Sequence, residues 1–583
     1  MKKILRGALI DVSALLMFGL WLIAIFHISN LWRGDSDNAY LVIAGNAVAK
    51  GNYLLHGYYL SQLDPFYSID IFINALFVKL FDFRPIVIHL APVFLFLVFI
   101  LAASFYVTDL KNKDLKNKPA FKTAVFLFIL FLVFPSRAFA FWSLQEGMHL
   151  SALIGSLTVF LLVDKFRKSY DENNGEGGGK IIGKSKMRPY LFLSFAFIVL
   201  VAGFSNDNVN VVICAVPLIV LSLFYILKEV FANGGKKANI NAYIFIIAAV
   251  VAALLLKEFV FYEIKTHGGF SLAPSGLSIA FVRLKYIQKN LYFFADGILS
   301  LLGVNLFGKY LFSIKTLIEI FKITGFVIFI YGVAAAVKKL LRPEKKDFLD
   351  LLLLCGMLFM SFAFLISQMP VDRASSRYLL PVAAFGFILA LRNFGYSRFV
   401  NGFTGFEGGK EAARKDIDKY KRDVFLKLAA AVMFLTYSGS FILNAGAVIP
   451  KSPVKPLGKW LIKHDLTYGY GTYWDSGIVT LETKGRVKIR QLIAVGDKIV
   501  PYRWLGNKSW YKKTGFFVVY TRHFIWFNKQ AIINAFGKPS KIYVEDFQGT
   551  LGRAFGRASG RASGRGTAAP YVIMVYKKGI RFK

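Results

Sequence analysis

Residues 9–40 read LIDVSALLMFGLWLIAIFHISNLWRGDSDNAY, an apolar run that ends in a short acidic segment. An α-helix rises about 1.5 Å per residue, so about 20 apolar residues cross the ~30 Å hydrocarbon core of a bilayer. Positions 9–31 are therefore long enough to span a membrane. Lys2 and Lys3 precede this run, which has neither the short core nor the small-residue cleavage site of a removable signal. We predict an uncleaved first span with a cytoplasmic N-terminus.

The same apolar pattern recurs along the whole chain. Of its 583 residues 56% are hydrophobic, 59 are phenylalanines, and the mean hydropathy is +0.51. Soluble chains are typically about 45–50% apolar even with glycine included. The composition therefore predicts a mainly α-helical, polytopic membrane protein. We place about eleven spans, near residues 9–31, 86–107, 121–142, 148–164, 190–205, 211–227, 243–262, 317–337, 348–367, 376–392 and 424–444.

The distribution of positive charge predicts how these spans are oriented. The net charge is +38, and lysines concentrate in alternate loops such as KNKDLKNK (residues 111–118) and EAARKDIDKYKRD (411–423). The short loops 143–147 and 205–210, on the other side, contain no lysine or arginine. Because cytoplasmic loops are enriched in these residues, we expect a protein of the cell membrane (plasma or inner membrane) with an extracytoplasmic C-terminus. No nucleic-acid motif accompanies the basic residues, so we predict no nucleic-acid partner.

Composition divides the chain into two parts. Residues 1–445 form the predicted transmembrane domain, which includes a long first outer loop at 32–85. The apolar stretch 66–81 of that loop is predicted to lie as a helix in the membrane interface. From 446 to 583 the apolar runs shorten, which indicates a small extracytoplasmic α/β domain. Within this domain, the Gly- and Arg-rich segment 551–567 predicts a disordered basic loop.

The predicted C-terminal domain contains alternating short helices and strands. We expect helices near 455–464, after Thr472 and near 528–536, and strands near 466–471, 487–493, 516–520, 542–545 and 571–576. The two cysteines, Cys214 and Cys355, both lie in apolar spans. The exposed parts therefore have no disulfide framework.

Acidic residues follow the first span directly. Asp35 and Asp37 lie two residues apart at the start of the helical pattern NAYLVIAGNAVAKG, whose N-terminus Asp37 could cap. Ionisable residues at membrane depth are costly, so they mark candidate functional sites. The other outer loops place further polar residues on the same side. These are Glu146, which together with Asp35 and Asp37 is a candidate catalytic residue, and the candidate substrate-binding residues His149, Asp207, Arg283, Lys285, Arg373, Arg377 and Tyr378.

These residue types suit transfer from a phosphate-linked donor. A carboxylate can act as general base on an acceptor hydroxyl, and arginines can hold a phosphate leaving group and stabilise its developing charge. The sequence contains no P-loop, Rossmann fingerprint, Ser-His-Asp order or zincin motif. A lipid-linked phosphosugar, whose chain dissolves in the bilayer, would explain a transferase without a nucleotide-binding motif. The stretch GYGTYWD at 469–475 is interpreted as a packed turn, or alternatively as a sugar-stacking surface.

Three stretches resemble the GT-C glycosyltransferase superfamily, which includes the protein mannosyltransferases, the lipid A aminoarabinose transferases and the RgtA/B/C/D-like bacterial enzymes. DNAYLVIAGNAVAKGNYL (37–54) is similar to the acidic motif and short helix that open the first outer loop of that family. DPFYSIDIFINALFVKLFDFRP (64–85) resembles its juxtamembrane helix and second-span entry, and SRYLLP (376–381) its late Arg-Tyr-x-x-Pro element. The resemblance covers about residues 1–445 in architecture.

The resemblance implies roles for individual residues. Asp37 would be the catalytic carboxylate, Glu146 the second acidic position and Arg377 a phosphate contact. Asn38 stands where many members of the superfamily have Glu. Asp35 could compensate for that change. A divalent cation therefore stays open as a cofactor, with its ligands unknown.

The leading hypothesis is a GT-C-type hexosyl or pentosyl transferase. It would move a sugar from a polyprenyl-phosphate donor to an extracytoplasmic glycan, lipid or protein acceptor, by an inverting single displacement. One alternative is a transporter or flippase of lipid-linked saccharides, for which inverted repeats and mid-span charges are expected. Another is a non-catalytic envelope-assembly protein. No clear internal repeat is found, and the acidic residues lie at span ends.

Overall fold

The protein is described by a computed structural model. It describes residues 2–108, 128–174, 187–232, 237–273, 280–306, 310, 312–341, 347–393, 428, 431–452, 454–496, 498–521, 527–547 and 570–582. The predicted loop 551–567 and the lysine-rich loops at 111–118 and 411–423 lie outside the described residues.

The chain is a multi-pass membrane protein. In the described part, eight helices are long and apolar enough to cross a membrane, and each overlaps a predicted span. They are Val12–Asn30, Val87–Tyr106, Arg188–Asn206, Val211–Phe231, Ile240–Thr266, Thr316–Leu340, Phe348–Ile366 and Arg373–Asn393.

Three further predicted spans have a different form. The span expected at 148–164 lies within the 25-residue helix Leu150–Asn174, whose last turns are charged. The described part of the span expected at 424–444 overlaps the short apolar helix Ala431–Ala445. The span expected at 121–142 is broken: a π-helical turn, Ile129–Val133, ends before Pro135, and Arg137–Ser143 starts a new helix. Proline lacks an N–H and disfavours helical geometry in the residue before it.

The helix Leu380–Asn393 forms the centre of the membrane domain and is buried along its whole length. It packs against Ile314–Leu340 and Phe348–Ile366. Near its C-terminal end Arg392 pairs with Asp350 (2.6 Å) and Asp347 (3.1 Å). Asp350 also pairs with Lys339 at 3.0 Å. Each buried charge in this group therefore has a partner of opposite sign, which membrane helices require.

The loop that follows the first span contains two short helices, Ser36–Ala49 and Asp70–Phe81. The second has only 12 residues, too few to cross a bilayer, and it lies within the stretch predicted to be interfacial. The strand Tyr59–Ser61 of this loop pairs in parallel with Ser271–Ala273. The remaining membrane-domain elements are the 3₁₀ turns Leu284–Tyr286 and Arg373–Leu379, the π-helical turn Val211–Ala215 and the helices Lys2–Asn30, Val87–Thr108, Val216–Ala232, Lys237–Thr266 and Ile287–Leu301.

The C-terminal region forms the predicted small α/β domain. Its sheet has six strands in the spatial order Lys498–Pro501, Lys488–Val495, Tyr468–Thr472, Gly515–Thr521, Tyr571–Ile580 and Lys541–Glu545. Tyr468–Thr472 pairs in parallel with both of its neighbours, and the other pairings are antiparallel. The helices are Val454–Lys463, Tyr473–Glu482 and Lys529–Phe536, with a 3₁₀ turn at Lys508–Lys512. Each predicted strand overlaps an observed one, but the edge strand Lys498–Pro501 was not predicted because it has only four residues.

The contacts between the C-terminal domain and the first loop of the membrane domain include two that fix their approach. The domain helix Tyr473–Glu482 packs on Ser36–Ala49, where a Cβ atom at Gly477 would lie 2.9 Å from the Tyr40 ring. At the second place, the backbone N–H of Tyr59 donates to the Gly506 carbonyl at 2.8 Å. Glycine at 477 therefore permits a close approach between the two domains.

The buried ion pairs of the central helix predict a stability effect. Asp350→Asn leaves the Arg392 guanidinium without its closest carboxylate, and breaking a buried pair costs about 3–5 kcal/mol. We expect a lower unfolding midpoint in detergent, measured by intrinsic fluorescence. Glu258→Gln is the matched control, because the side chain of Glu258 is 69% exposed beside Lys257. Equal midpoints for the two variants would contradict the proposed importance of the buried pair.

Candidate active site

The helix Ser36–Ala49 begins with a capping box at Asp35. The Asp35 carboxylate accepts from the backbone N–H of Asn38, and the Asn38 side chain accepts from the backbone N–H of Asp35, both at 3.2 Å. The sequence left Asp37 open as a possible cap of this helix, and the structure shows that Asp35 is the cap. Asp35 has the extended backbone of a cap residue, whereas Asp37 already lies in the first helical turn. The carboxylate of Asp37 is therefore not used to start the helix.

Asp37 lies at the junction with the C-terminal domain. Its Oδ1 accepts a hydrogen bond from the hydroxyl of Tyr473. Among the described residues, no donor reaches its Oδ2. Burial raises the pKa of Asp37, while the Tyr473 hydroxyl and the charge of Arg377 partly offset that rise. One oxygen of this carboxylate is thus available to a substrate.

Asp64, His149 and Asp207 form a second group of ionisable side chains. The His149 Nδ1 and the Asp207 Oδ2 are 2.7 Å apart, and both residues are buried. One atom from each of the three side chains lies within 4.8 Å of the other two. Burial and the negative charge of Asp207 raise the pKa of Asp64 to about 7. The group therefore holds a carboxyl that exchanges its proton near neutral pH.

Arg377 connects Asp37 with this second group. The positive charge of Arg377 partly offsets the rise that burial causes in the pKa of Asp37 and of Asp64. The Arg377 Nη2 donates to the Tyr378 hydroxyl at 3.2 Å. The Tyr378 ring lies 4.9 Å from the His149 imidazole, centroid to centroid. We call Asp37, Asp64, His149, Asp207, Arg377 and Tyr378 the polar cluster.

The polar cluster contains residues that could hold a divalent cation. Two carboxylates and an imidazole are a donor set that suits zinc or another first-row metal. A cation there would have to displace the proton shared between His149 and Asp207, because metal-bound imidazole nitrogen is unprotonated. Asp35, the residue we considered as compensation for Asn38, uses its carboxylate in the capping box instead.

A network of hydrogen bonds holds the turn next to Asp207. The Asn206 side-chain oxygen accepts from the backbone N–H groups of Ile69 (2.9 Å) and Asp70 (3.1 Å). The Ser151 hydroxyl donates to the Asp70 carboxylate at 2.7 Å. These bonds connect three segments that are far apart in sequence, so the position of Asp207 depends on all of them.

Glu146 lies outside the polar cluster, although we predicted it as a catalytic acid. It is buried beside Asp70 and Asn74. Burial, together with the nearby Asp70 carboxyl, raises its pKa well above the ordinary value. Its backbone carbonyl accepts from the Asn38 side chain at 3.0 Å. Glu146 therefore connects the 143–149 hairpin to the first loop.

The remaining predicted binding residues do not join the polar cluster. Arg373 is exposed, and it pairs with Asp296 at 3.3 Å and donates to the Tyr292 hydroxyl at 3.3 Å. Arg283 and Lys285 are also exposed, and Lys285 lies over the Tyr286 ring. In the described structure, none of the three has a recorded contact with the cluster.

Sequence reasoning missed Asp64 and Tyr473 as members of the site. For Asp64, the only indication in the sequence was its position in the first loop. Tyr473 belongs to GYGTYWD, which we interpreted as a packed turn or a stacking surface. This stretch is instead the end of the strand Tyr468–Thr472 and the start of the helix Tyr473–Glu482.

Comparison with known proteins yields structural similarity only. No family model matches the chain, and no curated protein matches it. The chain is similar to the crystal structure of ArnT from Cupriavidus metallidurans bound to undecaprenyl phosphate, with a TM-score of 0.51, 11% identity, and coverage of 96% of this chain and 97% of that one. The apo structure of the same protein gives a TM-score of 0.53, 10% identity, and coverage of 97% and 98%. The chain therefore shares the overall fold of these two ArnT structures.

The raised pKa of Asp64 predicts a pH dependence of stability. In the unfolded chain an Asp carboxyl has a pKa of about 4. Between that value and about 7 the folded protein holds a proton that the unfolded chain lacks, so this group makes stability fall as pH rises. Asp64→Asn removes the effect. The unfolding midpoint in detergent should therefore drop less between about pH 5 and about pH 8 in this variant than in the wild type.

The exposed Asp372 supplies the control for this measurement. Asp372 caps the turn Arg373–Leu379, and asparagine caps as well as aspartate. Asp372→Asn should keep the pH dependence of the wild type. An unchanged dependence in Asp64→Asn would contradict the assigned proton.

Proposed function

We propose that this protein is a glycosyltransferase that moves a sugar from a polyprenyl-phosphate donor to an acceptor hydroxyl on the extracytoplasmic side of the membrane. The observation that carries the proposal is the position of Asp37. This carboxylate has one oxygen available and lies within charge range of Arg377. Both residues belong to a fold whose crystal structure in ArnT contains undecaprenyl phosphate. A base and a phosphate-binding cation are the two groups that such a transfer requires.

The proposed reaction is an inverting single displacement. Asp37 Oδ2 takes the proton of the acceptor hydroxyl while the acceptor oxygen bonds to the anomeric carbon. The bond between that carbon and the phosphate oxygen breaks, and polyprenyl phosphate leaves with the electron pair. Arg377 stabilises the negative charge that develops on the leaving phosphate, because a cation aimed at a developing charge lowers the barrier. Tyr378 orients the guanidinium through its hydrogen bond.

The orientation of the protein is part of the proposal. The lysine-rich loops support a cytoplasmic N-terminus in the plasma or inner membrane. The membrane domain, residues 1–445, would then present the polar cluster to the extracytoplasmic surface, with the domain 446–583 above it.

A transporter or a non-catalytic assembly protein is less well supported. Transporter sites lie near the bilayer midplane. Here Asp207 directly follows the span Arg188–Asn206, and Arg377 lies in the first turns of the span Arg373–Asn393. The polar cluster is thus at span ends, where a lipid-linked head group meets a water-soluble acceptor.

Removal of the proposed base tests the reaction. Asp37→Asn should lower sugar transfer at least about 100-fold, because general-base catalysis contributes roughly 10²–10⁴-fold. The measurement is transfer by the full-length protein in nanodiscs, with a panel of undecaprenyl-phosphate sugars and membrane extract as acceptor. Asp35→Asn is the matched control, since asparagine preserves the cap. Wild-type transfer in Asp37→Asn would exclude this residue as the base.

Removal of the proposed phosphate contact tests donor binding. Arg377→Gln should weaken binding of undecaprenyl phosphate about tenfold or more, because a hydrogen bond to a charged group contributes about 1.5–3 kcal/mol. Titration monitored by native mass spectrometry measures the affinity. Arg373→Gln, four residues away and paired with Asp296, should bind as the wild type does. Equal losses in both variants would point to a non-specific charge effect.

A further inference from the structure

We propose that Tyr473 of the C-terminal domain is a positioning residue for Asp37, so that this domain forms part of the active site. The inference rests on the proposed function, and it assigns a catalytic-site role to the C-terminal domain. The hydroxyl of Tyr473 donates to Asp37 Oδ1 across more than 400 positions of sequence. This bond fixes the direction in which the other oxygen, Oδ2, faces an acceptor.

Aromatic packing holds the Tyr473 ring in place. Its face stacks on the Tyr40 ring, with centroids 5.4 Å apart and an interplanar angle of 23°. The Tyr502 ring meets it edge-on at 5.5 Å and 89°. Tyr40 follows Asp37 by three residues on one helix, so the two side chains lie on the same face. The tyrosine that donates the bond and the carboxylate that accepts it are therefore both tied to the helix Ser36–Ala49.

The start of the domain helix is also fixed. Tyr473 is its first residue and follows directly from the strand Tyr468–Thr472 in the middle of the sheet. The Thr472 hydroxyl donates to the Asp475 carboxylate at 2.6 Å, and Asp475 is buried. Because Tyr473 lies where this strand meets the helix, its hydroxyl has little freedom to move away from Asp37.

A second contact region prevents the domain from rotating about the helix pair. The backbone N–H of Lys508 donates to the Gly57 carbonyl at 2.9 Å, and the Asn507 side chain donates to the His56 carbonyl at 3.1 Å. The Trp510 ring meets the Tyr58 ring edge-on at 5.9 Å. Two separate regions of contact define one orientation of the domain over the first loop.

The bond also sets the working pH of the base. Burial raises the pKa of Asp37, and the Tyr473 hydroxyl opposes that rise by stabilising the ionised carboxylate. A general base acts only in its ionised form. Loss of the hydroxyl should therefore move the acid limb of the rate profile to higher pH.

Tyr473→Phe tests the inference, because it removes the hydroxyl and keeps the ring that stacks on Tyr40. Transfer from an undecaprenyl-phosphate sugar is measured in nanodiscs as a function of pH. We expect kcat to fall about tenfold or more, since a hydrogen bond to a charged group is lost. We also expect the donor KM to stay within about twofold, because Arg377 is untouched, and the acid limb to move to higher pH. Unchanged kcat and pH profile would overturn the proposal.

Tyr470→Phe is the matched control. The Tyr470 hydroxyl donates to the Lys513 carbonyl at 2.8 Å, wholly within the C-terminal domain. This variant also loses a tyrosine hydroxyl bond of the same domain, and it should keep the wild-type kcat and pH profile. A shift of equal size in Tyr470→Phe would assign the effect to domain stability and overturn the positioning role.

A double-mutant cycle separates this proposal from the proposed function. Unfolding midpoints of Tyr473→Phe, Asp37→Ala and the double variant report their coupling without any substrate. We expect coupling for this pair and none between Tyr470→Phe and Asp37→Ala. Absence of coupling would overturn the contact itself. Coupling in a protein that transfers no sugar would overturn the proposed function, whereas coupling with normal Tyr473→Phe kinetics would overturn only the positioning role.

Discussion

Burial of charge at the ends of membrane helices is the constraint on which this structure depends. An ionised side chain next to hydrocarbon is costly unless an opposite charge or a hydrogen-bond donor accompanies it. Arg392 meets this requirement at one end of the central helix with two carboxylates. Arg377 lies toward the other end of the same span, within charge range of Asp37 and Asp64. The first group stabilises the helix bundle, and the second leaves an oxygen of Asp37 available for chemistry.

The C-terminal domain changes the environment of Asp37 in the first loop. Alone, the helix Ser36–Ala49 would present Asp37 to solvent at the membrane surface. With the domain in place, Tyr40 is buried against Tyr473, and the tyrosine hydroxyl occupies one oxygen of the carboxylate. The Asp37 carboxylate therefore belongs to the first loop, while the C-terminal domain both shields it from water and donates a hydrogen bond to it. A base that is both partly buried and oriented is better suited to catalysis than a solvated one.

Much of the fold was predictable because hydropathy acts locally. The eight helices able to span a membrane, and the strands of the C-terminal sheet, follow from periodic apolar residues over short windows. The sequence could predict only that Asp37, Arg377, His149 and Asp207 lie on one side of the membrane, and not that His149 pairs with Asp207. The sequence could not decide the cap because Asp35 and Asp37 both suit a helix N-terminus, and backbone geometry decided between them. The burial of Glu146 beside Asp70 could not be predicted, because an exposed and a buried hairpin residue look the same in sequence.

By itself, the sequence determined that the chain crosses a membrane several times, that polar residues gather at span ends and that a small α/β domain follows. These properties depend on composition and on neighbours a few residues away. Only the tertiary structure decided that Asp64 joins His149 and Asp207, and that Tyr473 reaches Asp37. The reason is physical: such contacts join residues tens or hundreds of positions apart, and they form only when helices, loops and sheet are packed together.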